Sequence, residues 1–224
     1  ERAKISKVWS EAVGEEQLVQ VDDYTVRRVP PRSNRRRIYQ QISLERASRV
    51  GLPYLGLPLQ VKSSESRIFW DPQSDYTIIP AETGKPLNYE VWSETPSFSP
   101  EDLRNAPGNY AHLGAPDYSF LVRHSLSRRA VELAREVTSG QTTIYDKVST
   151  LERWFHSDQF QYSYNPPRYS GANPVTVFLM QTRTGHCELF ATAMAMMVRS
   201  LGIPARVVSG YRGGNWDEST RTLY

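Results

Sequence analysis

One residue in this sequence has the chemistry of a strong nucleophile: Cys187, the only cysteine among 224 residues. It lies in the stretch QTRTGHCELFATAMAMMVRSLGIPARVVSGY, residues 181–211, where a helix is predicted to begin. The free N–H groups and partial positive charge of a helix N-terminus stabilise a thiolate and bind the oxyanion of an attacked carbonyl. This placement favours acyl transfer through Cys187. A buried cysteine acting as a small apolar side chain fits the same spacing.

The helix around the cysteine is predicted from apolar spacing. Gly202 is expected to end it, and Pro204 blocks its continuation. Gly185, two residues before the thiol, is expected to permit an unusual backbone angle and the close approach of a substrate chain. The spacing indicates a central, buried helix whose inward stripe is Cys187, Phe190, Ala191, Met194, Ala195, Val198 and Leu201.

A nucleophilic cysteine needs a base, usually a histidine, and the four histidines offer no convincing one. His186 is adjacent to Cys187, and neighbouring side chains at a helix start point in different directions. His156 ends the preceding amphipathic helix, while His112 and His124 are expected at the surface. The residues alone therefore leave the base unassigned.

Charge, cysteine content and histidine spacing give little support for nucleic-acid binding or for a metal site. The net charge of +3 and pI near 9.0 give only a weak hint of anionic partners and no nucleic-acid signature. The single cysteine excludes an internal disulfide, and the histidines lack ligand spacing, so no metal site is predicted. The basic run RSNRRR, residues 32–37, is interpreted as a hairpin tip or a solvated strand end.

The chain is predicted to have an α+β organisation with a β-rich, sandwich-like domain over residues 1–96. Its strand signals are QLVQVDDYTVRRV, RRRIYQQISLE, PLQVKS, SRIFWD, YTIIP and YEVWSE. Residues 97–117 are rich in Pro, Gly, Asn and Ser and are predicted to be a linker. Residues 118–224 form the second domain, with amphipathic helices capped by Thr142 or Thr143 and by Gly140, the cysteine helix, and a strand at ARVVSGY.

No run of about 18 apolar residues is present, so no transmembrane segment is predicted. The chain begins with Glu1 and has no secretory signal. We therefore expect a mature product or a piece of a longer protein.

The segment GHCELFATAMAMMVRSLGIPARVVSGY strongly resembles the core motif of the transglutaminase-like superfamily, relatives of papain-like thiol proteases. The matching positions are Gly185, Cys187, Phe190, Ala191, Arg199, the run 202–206, Gly210 and Tyr211. The resemblance covers roughly residues 116–224. The β-rich part is similar, more loosely, to the extracytoplasmic region of bacterial membrane proteins of the TgpA type. The resemblance implies a truncated papain-like core in which the cysteine helix packs on an antiparallel sheet.

The family's catalytic triad is Cys-His-Asp, and Cys187 matches its nucleophile. The family's His and Asp follow on strands after the GIPAR strand, and this sequence stops before either position. Asp217 stands in a turn-like stretch rather than at the Asp position. The resemblance thus implies that the intact parent protein is an active enzyme and that this polypeptide by itself is nearly inert.

Supporting roles follow from the same resemblance. Two candidates for the oxyanion site are the backbone N–H of Cys187 and the residue Gln181, which lies six positions upstream. Tyr162 and Trp154 are candidates to line the acyl site, although a plain core role fits the helical spacing of Trp154. Gln181 equally fits a helix C-cap or a surface position. Arg199 and Arg206 are expected to tie helix to strand.

The expected function is acyl transfer on protein glutamine or a peptide carbonyl, through a thioester that an amine or water resolves. This mechanism requires no metal and no organic cofactor. Partners are then protein or peptide substrates with glutamine and lysine side chains. The alternatives are a papain-like protease, a deamidase and a non-catalytic binding module. No calcium loop of the EF-hand type is present in the sequence. Localisation at the extracytoplasmic, periplasmic face of the inner membrane, within a membrane-anchored protein, is expected from the resemblance alone.

Overall fold

A computed structural model describes residues 3–5, 35–47, 51–63, 68–71, 77–80, 83–110, 113–165, 173–210, 214–219 and 222–223. The chain divides into two compact units. The first comprises Glu1–Phe98 with Gly210–Tyr224, and the second comprises Ser99–Ser209.

The first unit is built on a six-stranded sheet with the order β3-β6-β2-β1-β10-β9, together with the antiparallel pair β4·β5. The described pairings within both are antiparallel. The strands are β1 (Ala3–Ile5), β2 (Arg35–Leu44), β3 (Leu57–Lys62), β4 (Ile68–Asp71), β5 (Thr77–Pro80), β6 (Leu87–Pro96), β9 (Trp216–Asp217) and β10 (Thr222–Leu223).

Period-two patterning explains the two strands of the long antiparallel pair β2·β6. Alternate residues of β2, such as Ile42 and Leu44, are buried, and so are Leu87, Tyr89 and Val91 of β6. Side chains on one face of each strand thus form the core of this unit. Five of the six predicted strand segments are found as β2–β6. The sixth, QLVQVDDYTVRRV at residues 17–29, lies outside the described residues.

The basic run at 32–37 enters β2, and two of its arginines face a buried carboxylate. Arg37 Nε lies 3.4 Å from Glu94 Oε1, and Arg35 Nη1 lies 3.9 Å from Glu94 Oε2. The Glu94 side chain is only 2% exposed, so its charge needs these cations. These two arginines therefore have a structural partner inside the first unit.

The second unit is mainly helical. It contains α1 (Pro100–Arg104), α2 (Gly114–Leu121), α3 (Arg128–Val137), α4 (Ile144–Phe155), α5 (Pro174–Val177), a π-helix (Phe178–Thr182) and α6 (Cys187–Ser200). Two short strands, β7 (Gln161–Tyr162) and β8 (Thr184–Gly185), pair in parallel. The prediction of an α+β protein, with strands first and helices afterwards, is confirmed.

Local capping explains where these helices begin and end. Thr143 caps α4 by accepting a hydrogen bond from the Asp146 N–H, as the sequence predicted. Gly202 follows α6 with φ +77°, and its N–H donates to the Arg199 carbonyl at 2.9 Å. Ile203 N–H donates to the Val198 carbonyl, which completes a Schellman motif. The predicted end of the cysteine helix is therefore correct.

The core around α6 is made by helices. Its buried members include Ala130 and Ala134 of α3, Leu151 and Phe155 of α4, and Phe178 of the π-helix. The strand predicted at ARVVSGY is not formed over its described part, residues 205–210. Val208 there is 87% exposed, because no strand among the described residues pairs with this segment. No described helix is long and apolar enough to span a membrane.

Candidate active site

The site is built around the first residue of α6. Cys187 is the first helical residue, and its thiol is free and exposed. His186 precedes the helix in extended conformation, and its side chain makes no capping hydrogen bond. Its carbonyl accepts the N–H groups of Leu189 and Phe190. The N–H groups of Cys187 and Glu188 thus lack intrahelical acceptors and point out of the helix end.

The buried face of α6 differs from the predicted stripe. Leu189, Ala193 and Met197 are buried, four residues apart on one line, whereas Cys187 and Ala191 are exposed. The predicted stripe placed these last two toward the core, and that assignment is wrong. The helices packed on α6 cover the face that carries residues 189, 193 and 197. The thiol of Cys187 lies outside that face and is therefore accessible.

Pairing of β7 with β8 brings a distant tyrosine to the thiol. Gln161 N–H donates to the Arg183 carbonyl at 2.9 Å, and Ser163 N–H donates to the Gly185 carbonyl at 2.8 Å. Tyr162 lies opposite Gly185 in this register. Residues 25 positions apart in sequence, Tyr162 and Cys187, therefore meet at the end of α6.

The Tyr162 hydroxyl lies within interaction range of both the thiol and the backbone N–H of Cys187. Partial desolvation raises the pKa of the Tyr162 phenol above its usual value, and the neighbouring thiol raises it further, whereas the Cys187 N–H opposes the shift. The phenol is therefore protonated at neutral pH and can donate a hydrogen bond. Together the phenol O–H and the Cys187 N–H provide two donors beside the sulfur.

Trp154 is separated from the thiol by other aromatic rings. It is half-buried and packs edge-on to Phe160, with 4.7 Å between ring centroids. Phe160 contacts Phe190, and Phe190 stacks on Tyr162 at 6.4 Å. Trp154 is thus connected to Tyr162 only through two intervening rings, Phe160 and Phe190. Sequence reasoning assigned no role to Phe160, although its place in the FQY segment beside Tyr162 was a usable signal.

Arg183 was also not identified from the sequence, although it links the π-helix to β8. It ends the π-helix in the left-handed conformation, with φ +47°, and leads the chain into β8. Its guanidinium lies over the rings of Trp154 and Phe160, at 5.7 and 5.6 Å, and its Nη1 donates to the Gln159 side chain. Arg183 thereby joins the α4 end of the unit to β8.

Gln181 is exposed on the π-helix, and no contact between it and Cys187 is found in the described part of the chain. Its assignment as an oxyanion residue stays a prediction. Tyr162 is the candidate that the structure brings to the thiol.

The described histidines do not form a base for Cys187. His156 caps α4 and pairs its Nδ1 with a backbone carbonyl of that helix at 2.9 Å, and His124 Nδ1 accepts a nearby backbone N–H. His186 is the N-cap of α6, while His112 lies outside the described residues. Within the described ranges no three or more His, Cys, Asp or Glu side chains are grouped to hold a metal ion.

Arg199 fixes the far end of α6, in the role the sequence predicted. Its Nε donates to the Ala205 carbonyl at 2.8 Å and its Nη1 donates to the Arg123 carbonyl at 3.1 Å. The helix is thus tied to the chain on either side of it. The segment after the helix, where a strand was predicted, has no regular secondary structure over residues 205–210.

Gly185 has a packing role that differs from the predicted one. It is absent from the positive-φ residues, so its backbone angle is ordinary. A Cβ at this buried position would stand 2.8 Å from Leu189 Cδ2 and 3.2 Å from Phe178 Cε2. The hydrogen atom of glycine therefore lets β8 pass directly over the start of α6.

Gly185→Ala is expected to lower the free energy of unfolding by about 1–3 kcal/mol, because the added methyl overpacks the core. Urea denaturation followed by circular dichroism measures the change. Gly210→Ala is the matched control: nothing lies within 4 Å of its added Cβ, so we expect a change within about 0.5 kcal/mol. Equal midpoints for the two variants would contradict the packing role.

Comparison with known proteins gives three findings. Residues 131–222 match the sequence profile described as the transglutaminase-like superfamily. An uncharacterised Bacillus subtilis protein, YebA, is 31% identical over 140 residues, which are 59% of this chain and 18% of YebA. A Pseudomonas aeruginosa protein-glutamine gamma-glutamyltransferase is 43% identical over 86 residues, 38% of this chain and 13% of that protein. The aligned stretches thus span less than a fifth of either relative.

The crystal structure of the periplasmic domain of TgpA from Pseudomonas aeruginosa superimposes on this chain with a TM-score of 0.58. The likeness covers 99% of this chain and 77% of that domain, at 22% sequence identity. It shows a shared fold: the mixed arrangement of an antiparallel sheet and helices that the resemblance implied.

Proposed function

We propose, from the match of residues 131–222 to the profile of the transglutaminase-like superfamily, that Cys187 is the nucleophile of an acyl transfer on protein-bound glutamine in the intact protein. The observation that carries the proposal is the meeting of an exposed thiol, a free helix N-terminus and the Tyr162 hydroxyl at one point. The 43% identity to a protein-glutamine gamma-glutamyltransferase supports glutamine as the acyl donor.

In the first half-reaction the Cys187 thiolate attacks the carboxamide carbon of glutamine. The carbonyl π electrons move to oxygen, and the oxyanion accepts hydrogen bonds from the Cys187 N–H and the Tyr162 O–H. Collapse of this intermediate breaks the C–N bond, and ammonia leaves after receiving a proton. A thioester on Cys187 remains.

In the second half-reaction a nucleophile attacks the thioester carbonyl, and the sulfur leaves as thiolate. A lysine amine gives an isopeptide cross-link, and water gives glutamate. The proton transfers of both steps need an imidazole, which the family resemblance places on a strand after the GIPAR segment. We propose that a histidine of the intact protein from that position supplies it, paired with an aspartate.

The proposed location is the extracytoplasmic side of a bacterial inner membrane, in a membrane-anchored protein. It is supported by the fold shared with a periplasmic domain. Protein substrates with accessible glutamine and lysine side chains are the proposed partners.

The decisive experiment follows a fluorescent amine, monodansylcadaverine, and released ammonia in parallel, with dimethylated casein as acyl donor. Incorporation of amine with an equal amount of ammonia supports transfer. Ammonia without incorporation indicates a deamidase, and new peptide termini indicate a protease.

The reactivity of the thiol is tested separately by labelling with iodoacetamide at neutral pH. Cys187 is expected to react at least about tenfold faster than a model thiol, because its sulfur is exposed and the imidazole proposed above accepts its proton. A rate below that of the model thiol, with no turnover of any substrate, would leave a binding module as the better account.

A further inference from the structure

Strand β7 has one edge that the described chain leaves open. On the side of its parallel partner β8, the N–H groups of Gln161 and Ser163 donate to the carbonyls of Arg183 and Gly185. Successive N–H groups of a strand point to opposite edges, so the N–H and C=O of Tyr162 point away from β8. Among the described residues β7 pairs with β8 alone, so these two groups have no strand partner there. The open edge thus presents one donor and one acceptor from the same residue.

The residue that offers this edge is the one whose side chain faces the nucleophile. The Tyr162 hydroxyl lies beside the Cys187 thiol, and its side chain is 47% exposed. Next to it stands Tyr164, 84% exposed, with its ring edge-on to that of Tyr162 at 5.2 Å. Extended backbone groups and an exposed aromatic surface therefore adjoin the thiol.

We propose that the acyl donor binds as an added strand on β7, with its main chain paired to the N–H and C=O of Tyr162. This inference rests on the proposed function and deepens it, since it names the substrate class: glutamine within an extended peptide segment. Pairing of this kind draws affinity from main-chain hydrogen bonds and is tolerant of sequence. It excludes glutamines held in helices and free glutamine as good donors.

The register follows from the period of a strand. Residues directly opposite each other in a paired sheet project to the same face, with Cβ atoms about 4.5–5.5 Å apart. A glutamine opposite Tyr162 therefore extends to the side on which the Tyr162 hydroxyl and the thiol lie. Its two neighbours project to the other face, away from the sulfur.

The test uses a peptide electrophile with the intact protein. The probe is acetyl-Ala-Ala-X-Ala-Ala-amide, where X is 6-diazo-5-oxonorleucine, a glutamine analogue. The thiol protonates the diazo carbon and sulfur then displaces N₂ to form a thioether. The inactivation rate is measured for the parent probe and for probes carrying a single N-methyl group at each position.

N-methylation at the one position that pairs with Tyr162 is expected to slow inactivation at least about tenfold, because a hydrogen bond is lost and a methyl meets β7. That position is X for antiparallel pairing and the residue after X for parallel pairing. Methylation at the remaining positions is expected to change the rate less than about threefold. Equal effects at all positions, or none at any, would overturn the strand-addition proposal.

Free iodoacetamide separates failure of this inference from failure of the proposed function. If iodoacetamide labels the thiol fast but the probes are insensitive to N-methylation, the thiol is reactive and the strand-addition proposal is refuted. If Cys187 reacts slowly with both iodoacetamide and the peptide probe, the proposed function is refuted as well. Tyr162→Phe keeps the main-chain edge, so the N-methyl pattern is expected to persist in that variant.

Discussion

Replacement of Cys187 by alanine is expected to lower amine incorporation by the intact protein at least about 10⁴-fold. The thioester cannot form without the sulfur, and what remains is binding and orientation alone. Incorporation of monodansylcadaverine into dimethylated casein, measured as kcat/KM, gives the size of the loss.

Cys187→Ser is the matched variant and is expected to lose activity to a similar extent. A serine hydroxyl remains protonated at neutral pH and is a far weaker nucleophile than a thiolate. Because the Cys187 side chain is exposed, both substitutions should change the free energy of unfolding by less than about 0.5 kcal/mol. Activity retained in either variant, with the fold intact, would refute the nucleophile assignment.

Tyr162→Phe is expected to lower kcat for amine incorporation by about 10²–10³-fold, with KM little changed. The phenol donates to an oxygen that becomes negative only in the transition state, so its loss affects the chemical step more than binding. The raised pKa of Tyr162 keeps this donor protonated through the neutral range. The measurement is the separation of kcat from KM at saturating amine.

Two controls distinguish oxyanion stabilisation from a structural role of Tyr162. Iodoacetamide alkylation forms no oxyanion, so its rate in Tyr162→Phe should stay within about threefold of the unchanged protein. Tyr164→Phe removes the same atom from the exposed neighbouring ring and is expected to leave kcat unaltered. If alkylation and kcat fall together in Tyr162→Phe, the tyrosine positions the thiol and does not stabilise the oxyanion.

Local chemistry made several elements predictable from sequence. Alternation along β2 and along β6 predicts each strand from its own residues, although their pairing joins distant segments, with Leu44 opposite Leu87. Thr143 at the start of α4, and Gly202 after α6, act through hydrogen bonds within a few residues. Such signals are short-range, so the linear sequence contains them in full.

The orientation of α6 was not predictable in the same way. The helix itself carries apolar and small residues on most of its sides. The spacing of these residues alone therefore permits more than one buried face. The observed face, through Leu189, Ala193 and Met197, is selected by the helices that pack on it. Exposure of Cys187 follows from that selection.

The sequence by itself determined the identity and local setting of the nucleophile: a single cysteine at a helix start, after a glycine, within a family motif. Only the tertiary structure decided which residue faces the thiol. Tyr162, Trp154 and Gln181 were all candidates in sequence, and the pairing of β7 with β8 brings Tyr162 to Cys187. The physical reason is that this contact spans 25 residues and depends on the register of two short strands, which no local pattern encodes.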